Sequence, residues 1–229
     1  MQLTVSAAAS LTDAFTDIEQ AFEAAHPGVN VVMNFASSGA LYRQIEQGAP
    51  VDVYASANPK WIDRAEAAGF VLAGSRVAFA GNDLVLVVPR GNRAKVHFLG
   101  GLTGPLVTTV AVGTPETVPA GQYAKNALAA AGLWETLHPR LIFCESVRQV
   151  LDYLRRGEVD AGFVYRTDAV KAGAPVQVVA DVPLKTPVTY PIAVLRESGE
   201  EGLAKAFVSF VAGPEGQALL EKRGFVPAD

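Results

Sequence analysis

The stretch LTVSAAASLTDAFTDIEQAF, residues 3–22, decides the fold class of this chain. Its start, Leu3–Ser6, is a short β-rich run. The apolar positions that follow recur at the spacing of one helix face, and they are Leu11, Phe15, Ile18 and Phe22. The same strand-then-helix order recurs twice more before Gly69. This order predicts a parallel sheet with right-handed crossovers.

A second series of strands and helices begins near residue 83. Strands are predicted at 76–80 and 84–89, an irregular segment at 90–105, and the alternation restarts with a strand at 108–112. Two helices, at 201–211 and 215–222, close the chain. The sequence therefore predicts an α/β protein of two lobes of about 100 residues each, and a cleft between two such lobes is a usual place for a ligand.

Composition excludes several classes of protein. Of the 229 residues, 50% are hydrophobic and 18% are charged, which is enough to bury a core. The net charge is −4, so no basic excess exists to bind nucleic acid or an anionic membrane. The single cysteine, Cys144, excludes an intrachain disulfide and a cysteine-cluster zinc site. The three histidines, His26, His97 and His138, lack the spacing of metal ligands.

The sequence contains no apolar run as long as the roughly 18 residues of a membrane helix. No export signal is visible, because residues 1–5 enter directly into the first strand. Either the protein is cytosolic, or an export signal has been removed.

Motifs of the common catalytic machineries are also missing. The sequence lacks G-x-S-x-G, the phosphate loop, G-x-G-x-x-G and H-E-x-x-H. We therefore expect a protein that is not an enzyme. Hydrolysis of a phosphate or sulfate ester remains as a less favoured alternative, since no nucleophile and base pair is apparent.

Four predicted strand-to-helix turns carry small or hydroxyl residues, in the segments AAAS (7–10), FASSG (35–39), VPAG (118–121) and ESVR (145–148). Helix N-termini present backbone N–H groups and the positive end of the helix dipole, which together bind anions. Ser10 is predicted as an N-cap, with Asp13 three residues on. Each feature also has a structural reading, because serine caps and proline at helix starts are common. Tyr165, Cys144, Trp61 and Trp134 are most simply packing residues.

Beyond these turns, the chain resembles the periplasmic molybdate-binding proteins, the solute receptors of molybdate ABC importers. The resemblance covers almost the whole chain. It is carried by AAASLTDAF (7–15), FASSGALYRQIEQGAPVDVYASANPKW (35–61), LVLVVPRG (84–91), PETVPAGQYAKNAL (115–128), ESVRQVL (145–151), GFVYRTDAV (162–170), YPIAV (190–194) and GPEGQALLEKRGF (213–225). One departure is Gly39, which stands where a third small hydroxyl residue is often found.

The resemblance implies a two-lobed α/β periplasmic binding protein fold of type II, each lobe a mixed, mostly parallel sheet flanked by helices, with the ligand cleft between the lobes. Lobe 1 would comprise residues 1–82 and 193–229, and lobe 2 residues 83–192. Hinge segments are expected at 84–88 and 188–194. The protein would be a periplasmic monomer that needs no cofactor.

The same resemblance implies a receptor that binds molybdate or tungstate and delivers it to a membrane permease. The metal would be bound as its oxyanion, without direct coordination by the protein. The implied ligand-binding residues are Ser10, Ser38, Ala120, Val147 and Tyr165, acting through hydroxyls at Ser10, Ser38 and Tyr165 and through backbone N–H groups at Ala120 and Val147.

A site built only from neutral donors selects by protonation state. Molybdate, tungstate and sulfate only accept hydrogen bonds near neutral pH, whereas hydrogen phosphate carries a proton that needs an acceptor. We therefore expect Glu116 and Glu145 to point away from the ligand. Arg148 is expected outside the site, paired with a surface carboxylate.

Alternatives remain open at this point. A receptor of the same fold for sulfate or another small oxyanion has the same features, although size favours the larger anion. The effector half of a transcription regulator can share the fold but needs a helix-turn-helix segment. A tungstate receptor that adds carboxylates to the metal is a further alternative. Nothing in the sequence separates molybdate from tungstate.

Overall fold

The computed structural model describes residues 1–228. The first elements in chain order are β1 (Gln2–Ala8), α1 (Thr12–Ala25), β2 (Asn30–Ala36), α2 (Ser38–Glu46), β3 (Val53–Ala55), α3 (Pro59–Ala67), β4 (Val77–Asn82) and β5 (Leu84–Pro89). They are followed by β6 (Val110–Gly113), α4 (Pro119–Ala130), α5 (Trp134–Leu137), β7 (Leu141–Cys144), α6 (Val147–Arg156), β8 (Ala161–Tyr165), α7 (Arg166–Ala172) and β9 (Val176–Asp181). The last are β10 (Val188–Val194), α8 (Glu201–Ala212) and α9 (Pro214–Lys222).

These elements form two compact units. The first comprises residues 1–81 together with the segment from Val188 onward, and the second comprises Asn82–Pro187. The chain therefore passes between the units twice. The expected lobe boundaries at 82/83 and 192/193 differ from these bounds: Asn82 lies in the second unit, and residues 188–192 lie in the first, because β10 lies between β3 and β4 in the sheet of that unit.

The first unit is built on a sheet of strand order β2-β1-β3-β10-β4. Strand β1 runs parallel to both of its neighbours, and β10 runs antiparallel to β3. Residues Ala8 and Ala36 are paired at the carboxyl ends of β1 and β2. The chain segments that leave these two strands therefore begin at the same edge of the sheet.

Helix α1 packs on this sheet through the apolar stripe predicted from the sequence. Phe15, Ile18 and Phe22 are fully buried. The ring of Phe22 contacts that of Phe207 on α8 at 5.1 Å between centroids, and the ring of Phe15 contacts that of Phe79 on β4 at 5.7 Å. Burying such side chains stabilises the unit by about 1.5–3 kcal/mol each.

The second unit is built on a sheet of strand order β7-β6-β8-β5-β9. Strands β7, β6 and β8 are parallel, whereas β5 is antiparallel to β8 and to β9. Both units thus have a mixed sheet flanked by helices, as the resemblance implied, although in the second sheet two strand pairs are parallel and two are antiparallel. The carboxyl ends of β6, β7 and β8 share one edge, where Gly113 pairs with Cys144.

Two helices of the second unit were not predicted from the sequence. The short α5 follows Gly132, and α7 begins directly after β8 without a Gly, Pro or Asn between them to signal a turn. The predicted irregular segment at 90–105 includes a short 3₁₀ helix at Leu99–Thr103. Within residues 1–228, no helix combines the length and apolarity that spanning a membrane requires.

Candidate functional site

In the first unit, Ser10 and Ser38 both follow strands that end at the same edge of the sheet. Ser10 lies in a 3₁₀ turn, Ala9–Leu11, that joins β1 to α1. The prediction of Ser10 as the N-cap of α1 was wrong, because this extra turn moves the N-cap to Leu11. Ser38 is the first residue of α2, and Ser37 is its N-cap. Neither serine therefore acts as a helix cap.

The Ser38 side chain is held by two neighbouring groups. The backbone N–H of Ala57, in the segment after β3, donates to Ser38 Oγ at 3.0 Å. Tyr54 Oη donates to the Ser38 carbonyl oxygen at 2.6 Å. Burial raises the pKa of Tyr54 well above its usual range, so this hydroxyl stays protonated. With Oγ accepting from Ala57, the Ser38 hydroxyl keeps its own hydrogen for donation to another group.

Ser10 is held by a residue far away in the sequence. Its Oγ lies 3.1 Å from Tyr190 Oη, and both side chains are buried. The Tyr190 ring is fixed on β10 between those of Phe79 and Phe225. When the phenol is the donor, Ser10 Oγ accepts and gives its hydrogen elsewhere.

In the second unit, Ala120 lies in the first turn of α4, which begins at Pro119 as predicted. The first N–H groups of a helix have no partner within the helix. Gly121 lets this turn approach the end of β6, because a Cβ at Gly121 would lie 1.8 Å from the carbonyl oxygen of Gly113. No side chain fits there, which explains the glycine of the PAG motif in physical terms.

Val147 is the first residue of α6, and its turn is closed by capping. Ser146 Oγ accepts from the backbone N–H of Gln149 at 3.2 Å, while Gln149 Oε1 accepts from the backbone N–H of Glu145 at 2.7 Å. The turn is also tied to β6, because Thr114 donates twice to the Cys144 carbonyl oxygen. These contacts order the segment that carries the Val147 N–H.

Tyr165 ends β8 at the same edge of the second sheet. It is 1% exposed and is also the N-cap of α7. The structure therefore places Ala120, Val147 and Tyr165 at one edge of the second unit, and Ser10 and Ser38 at one edge of the first.

Acidic groups are absent from three of the five helix starts next to these residues, whereas the first turn of α1 contains Asp13 and that of α7 contains Asp168. Within residues 1–228, the first turns of α2, α4 and α6 contain no Asp or Glu. Glu116 and Glu145 are exposed. The starts of α2, α4 and α6 are therefore rich in hydrogen-bond donors and poor in acceptors.

One prediction near the site was wrong. Arg148 does not pair with a surface carboxylate: its Nε lies 2.9 Å from Oδ1 of Asp168, whose side chain is fully buried. The physical reason is the unpredicted helix α7, which turns Asp168 inward next to α6.

Other candidate chemistry is limited. Within residues 1–228, no cluster of three or more His, Cys, Asp or Glu side chains could hold a metal ion. Cys144 is buried at the end of β7, and burial raises the pKa of its thiol to about 11. Its thiolate is therefore scarce at neutral pH, which argues against a reactive cysteine. Trp61 and Trp134 are buried, as a packing role requires.

Sequence reasoning missed Ala57, Tyr54 and Tyr190, which hold the two serines. A signal existed for Ala57, because Ser56-Ala57-Asn58 follows the third parallel strand of the first unit just as Ala9-Ser10 follows the first. No local signal marked Tyr190, since its contact with Ser10 joins positions that are 180 residues apart.

Comparison with known proteins identifies the class of this protein. The family profile described as bacterial extracellular solute-binding protein matches residues 3–226. The chain belongs to this family, which is one of binding proteins.

Individual relatives show which binding proteins of this family the chain is similar to. The chain is 41% identical to the molybdate-binding protein ModA of Escherichia coli (strain K12), over 98% of this chain and 88% of that protein. It is 36% identical to the putative ABC transporter substrate-binding lipoprotein YvgL of Bacillus subtilis (strain 168), over 97% of this chain and 85% of that protein. The solved periplasmic molybdate-binding protein of Azotobacter vinelandii has a TM-score of 0.86 and 26% identity, with 99% of this chain and 100% of that chain covered.

Proposed function

We propose that this protein is a receptor that binds molybdate, and tungstate with it, as the oxyanion and delivers it to the membrane permease of an ABC importer. The observation that carries this proposal is the character of the two edges: hydroxyls and helix N-termini, with no acidic residue in the first turns of α2, α4 and α6 within residues 1–228. The similarity to molybdate-binding proteins at 41% identity supports it.

The proposed ligand-binding residues are Ser10, Ser38, Ala120, Val147 and Tyr165. Ser10 and Ser38 supply hydroxyl donors from the first unit. Ala120 and Val147 supply backbone N–H donors, and Tyr165 supplies a hydroxyl, from the second. Hydrogen bonds to a charged acceptor contribute about 1.5–3 kcal/mol each, so several of them offset the desolvation of a dianion.

The donor set explains a preference for fully ionised oxyanions. Molybdate only accepts hydrogen bonds near neutral pH, so every protein donor finds a lone pair. Hydrogen phosphate retains one proton, and a donor-only site leaves that proton without an acceptor. Sulfate satisfies the same hydrogen-bonding rule, so only its smaller size distinguishes it from molybdate. A sulfate receptor is therefore the second candidate function.

Binding would bring both donor sets onto one anion through a hinge motion. We propose hinge segments at Leu84–Val88 and Val188–Val194, next to the two places where the chain passes between the units. A closed, ligand-bound form would then be what the permease recognises. We further propose that the receptor is a monomer that acts outside the cytoplasmic membrane and has no enzymatic activity.

Calorimetric titration of the ligand-stripped protein tests the proposal. Molybdate, tungstate, sulfate and phosphate are titrated separately at pH 7.5. We expect tight one-to-one binding of molybdate and tungstate and no heat from the other two. Tight binding of sulfate would replace molybdate with the second candidate, and tight binding of phosphate would contradict the donor-only site. No binding of any of the four would refute the receptor function.

A further inference from the structure

A buried ion pair joins two helices of the second unit. Arg148 on α6 contacts Asp168 on α7, with 2.9 Å between Nε and Oδ1. The Asp168 side chain is fully buried, and that of Arg148 is 25% exposed. Stability alone does not explain a buried ion pair, because the free energy of desolvating the two ions can equal the free energy gained from their attraction.

The position of the pair suggests the reason. Arg148 directly follows Val147, and Asp168 lies three residues after Tyr165. Each member of the pair is thus next to one of the proposed donors, in the same turn of the chain. The ion pair links the turn that carries the Val147 N–H to the turn that carries the Tyr165 hydroxyl.

Helix stability does not explain Arg148. It lies in the first turn of α6, where the positive end of the helix dipole disfavours a cation. Asp168 lies in the first turn of α7, where a carboxylate is favoured. The carboxylate is therefore well placed by itself, and the guanidinium is tolerated at its position because Asp168 neutralises it.

The turn that carries Tyr165 is also fixed from another direction. Asn82 Nδ2 donates to Thr167 Oγ1 at 2.9 Å, and both side chains are buried. The backbone N–H of Arg166 donates to the carbonyl oxygen of Asp83 at 2.8 Å. Asp168 thus sits in a segment that is held by the start of the second unit and, through Arg148, by α6.

We propose that Arg148 and Asp168 are positioning residues that also set the anion selectivity of the proposed molybdate site. Asp168 holds the guanidinium of the residue that directly follows Val147 and cancels its charge. Recognition is then left to neutral donors of fixed geometry, which discriminate by size and protonation. An uncompensated cation would attract any small anion. This inference rests on the proposed function, because it concerns the selectivity of that site.

The proposal predicts opposite effects for the two halves of the pair. In Asp168→Asn the guanidinium loses its counter-charge, so sulfate and phosphate should bind at least about tenfold better relative to molybdate. In Arg148→Met the carboxylate loses its counter-charge and repels the dianion, so molybdate affinity should fall at least about tenfold. Added salt should reduce both effects, since they arise from net charge.

The experiment is a set of calorimetric titrations of wild type, Asp168→Asn and Arg148→Met with molybdate, sulfate and phosphate at low and high salt. The matched control is the ion pair of the first unit, Asp17 with Arg223, at 2.6 Å between Oδ2 and Nε. Asp17→Asn and Arg223→Met should leave both affinity and selectivity unchanged. Arg148→Gln also removes the cation, at a partly exposed position where a polar side chain is tolerated. If Asp168→Asn does not fold, Arg148→Gln and Arg148→Met together still test the predicted loss of molybdate affinity.

Three results have distinct meanings. The proposal is supported if Asp168→Asn binds sulfate and phosphate better relative to molybdate, if Arg148→Met binds molybdate more weakly, and if added salt reduces both changes. Equal weakening by both variants, without a change of selectivity or a salt effect, overturns it and leaves a purely structural pair. If the wild-type protein does not bind molybdate, the proposed function itself fails.

Discussion

Tyr190 and Ser10 lie 3.1 Å apart, hydroxyl to hydroxyl, although 180 positions separate them in the sequence. Strand β10 follows the whole second unit in the sequence but belongs to the first unit. It carries Tyr190 to the turn after β1. One hydroxyl of the proposed ligand site is therefore oriented by a residue next to a passage between the units. The contact couples the proposed donor to the proposed hinge strand.

Replacing Tyr190 by Phe should weaken molybdate binding about tenfold, because the Ser10 hydroxyl loses its partner. The ring remains packed between Phe79 and Phe225, so the free energy of unfolding should change by only about 1 kcal/mol. Calorimetric titration and urea unfolding measure the two quantities. Tyr42→Phe is the control, since its hydroxyl contacts Glu46 on the surface of α2 instead. Equal affinity of Tyr190→Phe and wild type would show that this contact does not orient the donor.

Removing the Ser10 hydroxyl in Ser10→Ala should weaken molybdate binding roughly 10- to 100-fold, which corresponds to one charge-assisted hydrogen bond. The exposed Ser209→Ala on α8 is the control and should bind like wild type. An unchanged affinity of Ser10→Ala would remove Ser10 from the proposed site.

Ser38→Ala should affect both binding and folding. It removes a proposed ligand donor, and it also leaves the buried N–H of Ala57 without its Ser38 acceptor. We expect a loss of unfolding free energy of about 1–3 kcal/mol together with weaker molybdate binding. Urea unfolding compares the free energies of unfolding of Ser38→Ala and Ser10→Ala. Equal values would contradict the role of Ser38 Oγ as the acceptor for the Ala57 N–H.

Gly121→Ala should destabilise the protein by about 1–3 kcal/mol or more and reduce molybdate affinity, because the new Cβ would lie 1.8 Å from the Gly113 carbonyl oxygen and displace the start of α4. Gly202→Ala provides the matched control on α8, where no heavy atom lies within 4 Å of the added Cβ. That change should be neutral or stabilise by up to about 1 kcal/mol. Thermal unfolding and titration report both effects, and tolerance of Gly121→Ala would show that α4 can move away from β6 at little cost.

The pair of Asp17 and Arg223 should make stability depend on pH. The hydrogen bond from Arg223 lowers the pKa of Asp17 below its ordinary value. A carboxyl with a lowered folded-state pKa contributes stability above its unfolded-state pKa of about 3.9, and the contribution is lost as the pH falls through the folded-state value. Wild type should therefore exceed Asp17→Asn in unfolding free energy at neutral pH, and the difference should shrink toward pH 2. Urea unfolding across this range measures it, and a constant difference would rule out the ionised pair as its cause.

Much of the fold was predictable from local patterns. The stripe of Phe15, Ile18 and Phe22 predicted α1 because burial on one face repeats with the helix period. Pro119 marked the start of α4 because proline lacks the N–H that a first turn does not use. Helix α7 was missed because its short sequence directly follows a buried strand, and no breaker residue separates the two elements.

Local sequence patterns predict the strands, most of the helices and the turns of small residues between them, because backbone preference and burial period are local properties. The side chains that hold those turns in place become known from the three-dimensional contacts alone. The tertiary structure brought Tyr190 to Ser10, Ala57 to Ser38 and Asp168 to Arg148, and it showed Ser10 in a 3₁₀ turn instead of at a helix cap. These contacts depend on strand order and on the return of β10 from the second unit, and no local preference encodes the meeting of residues so far apart in the chain.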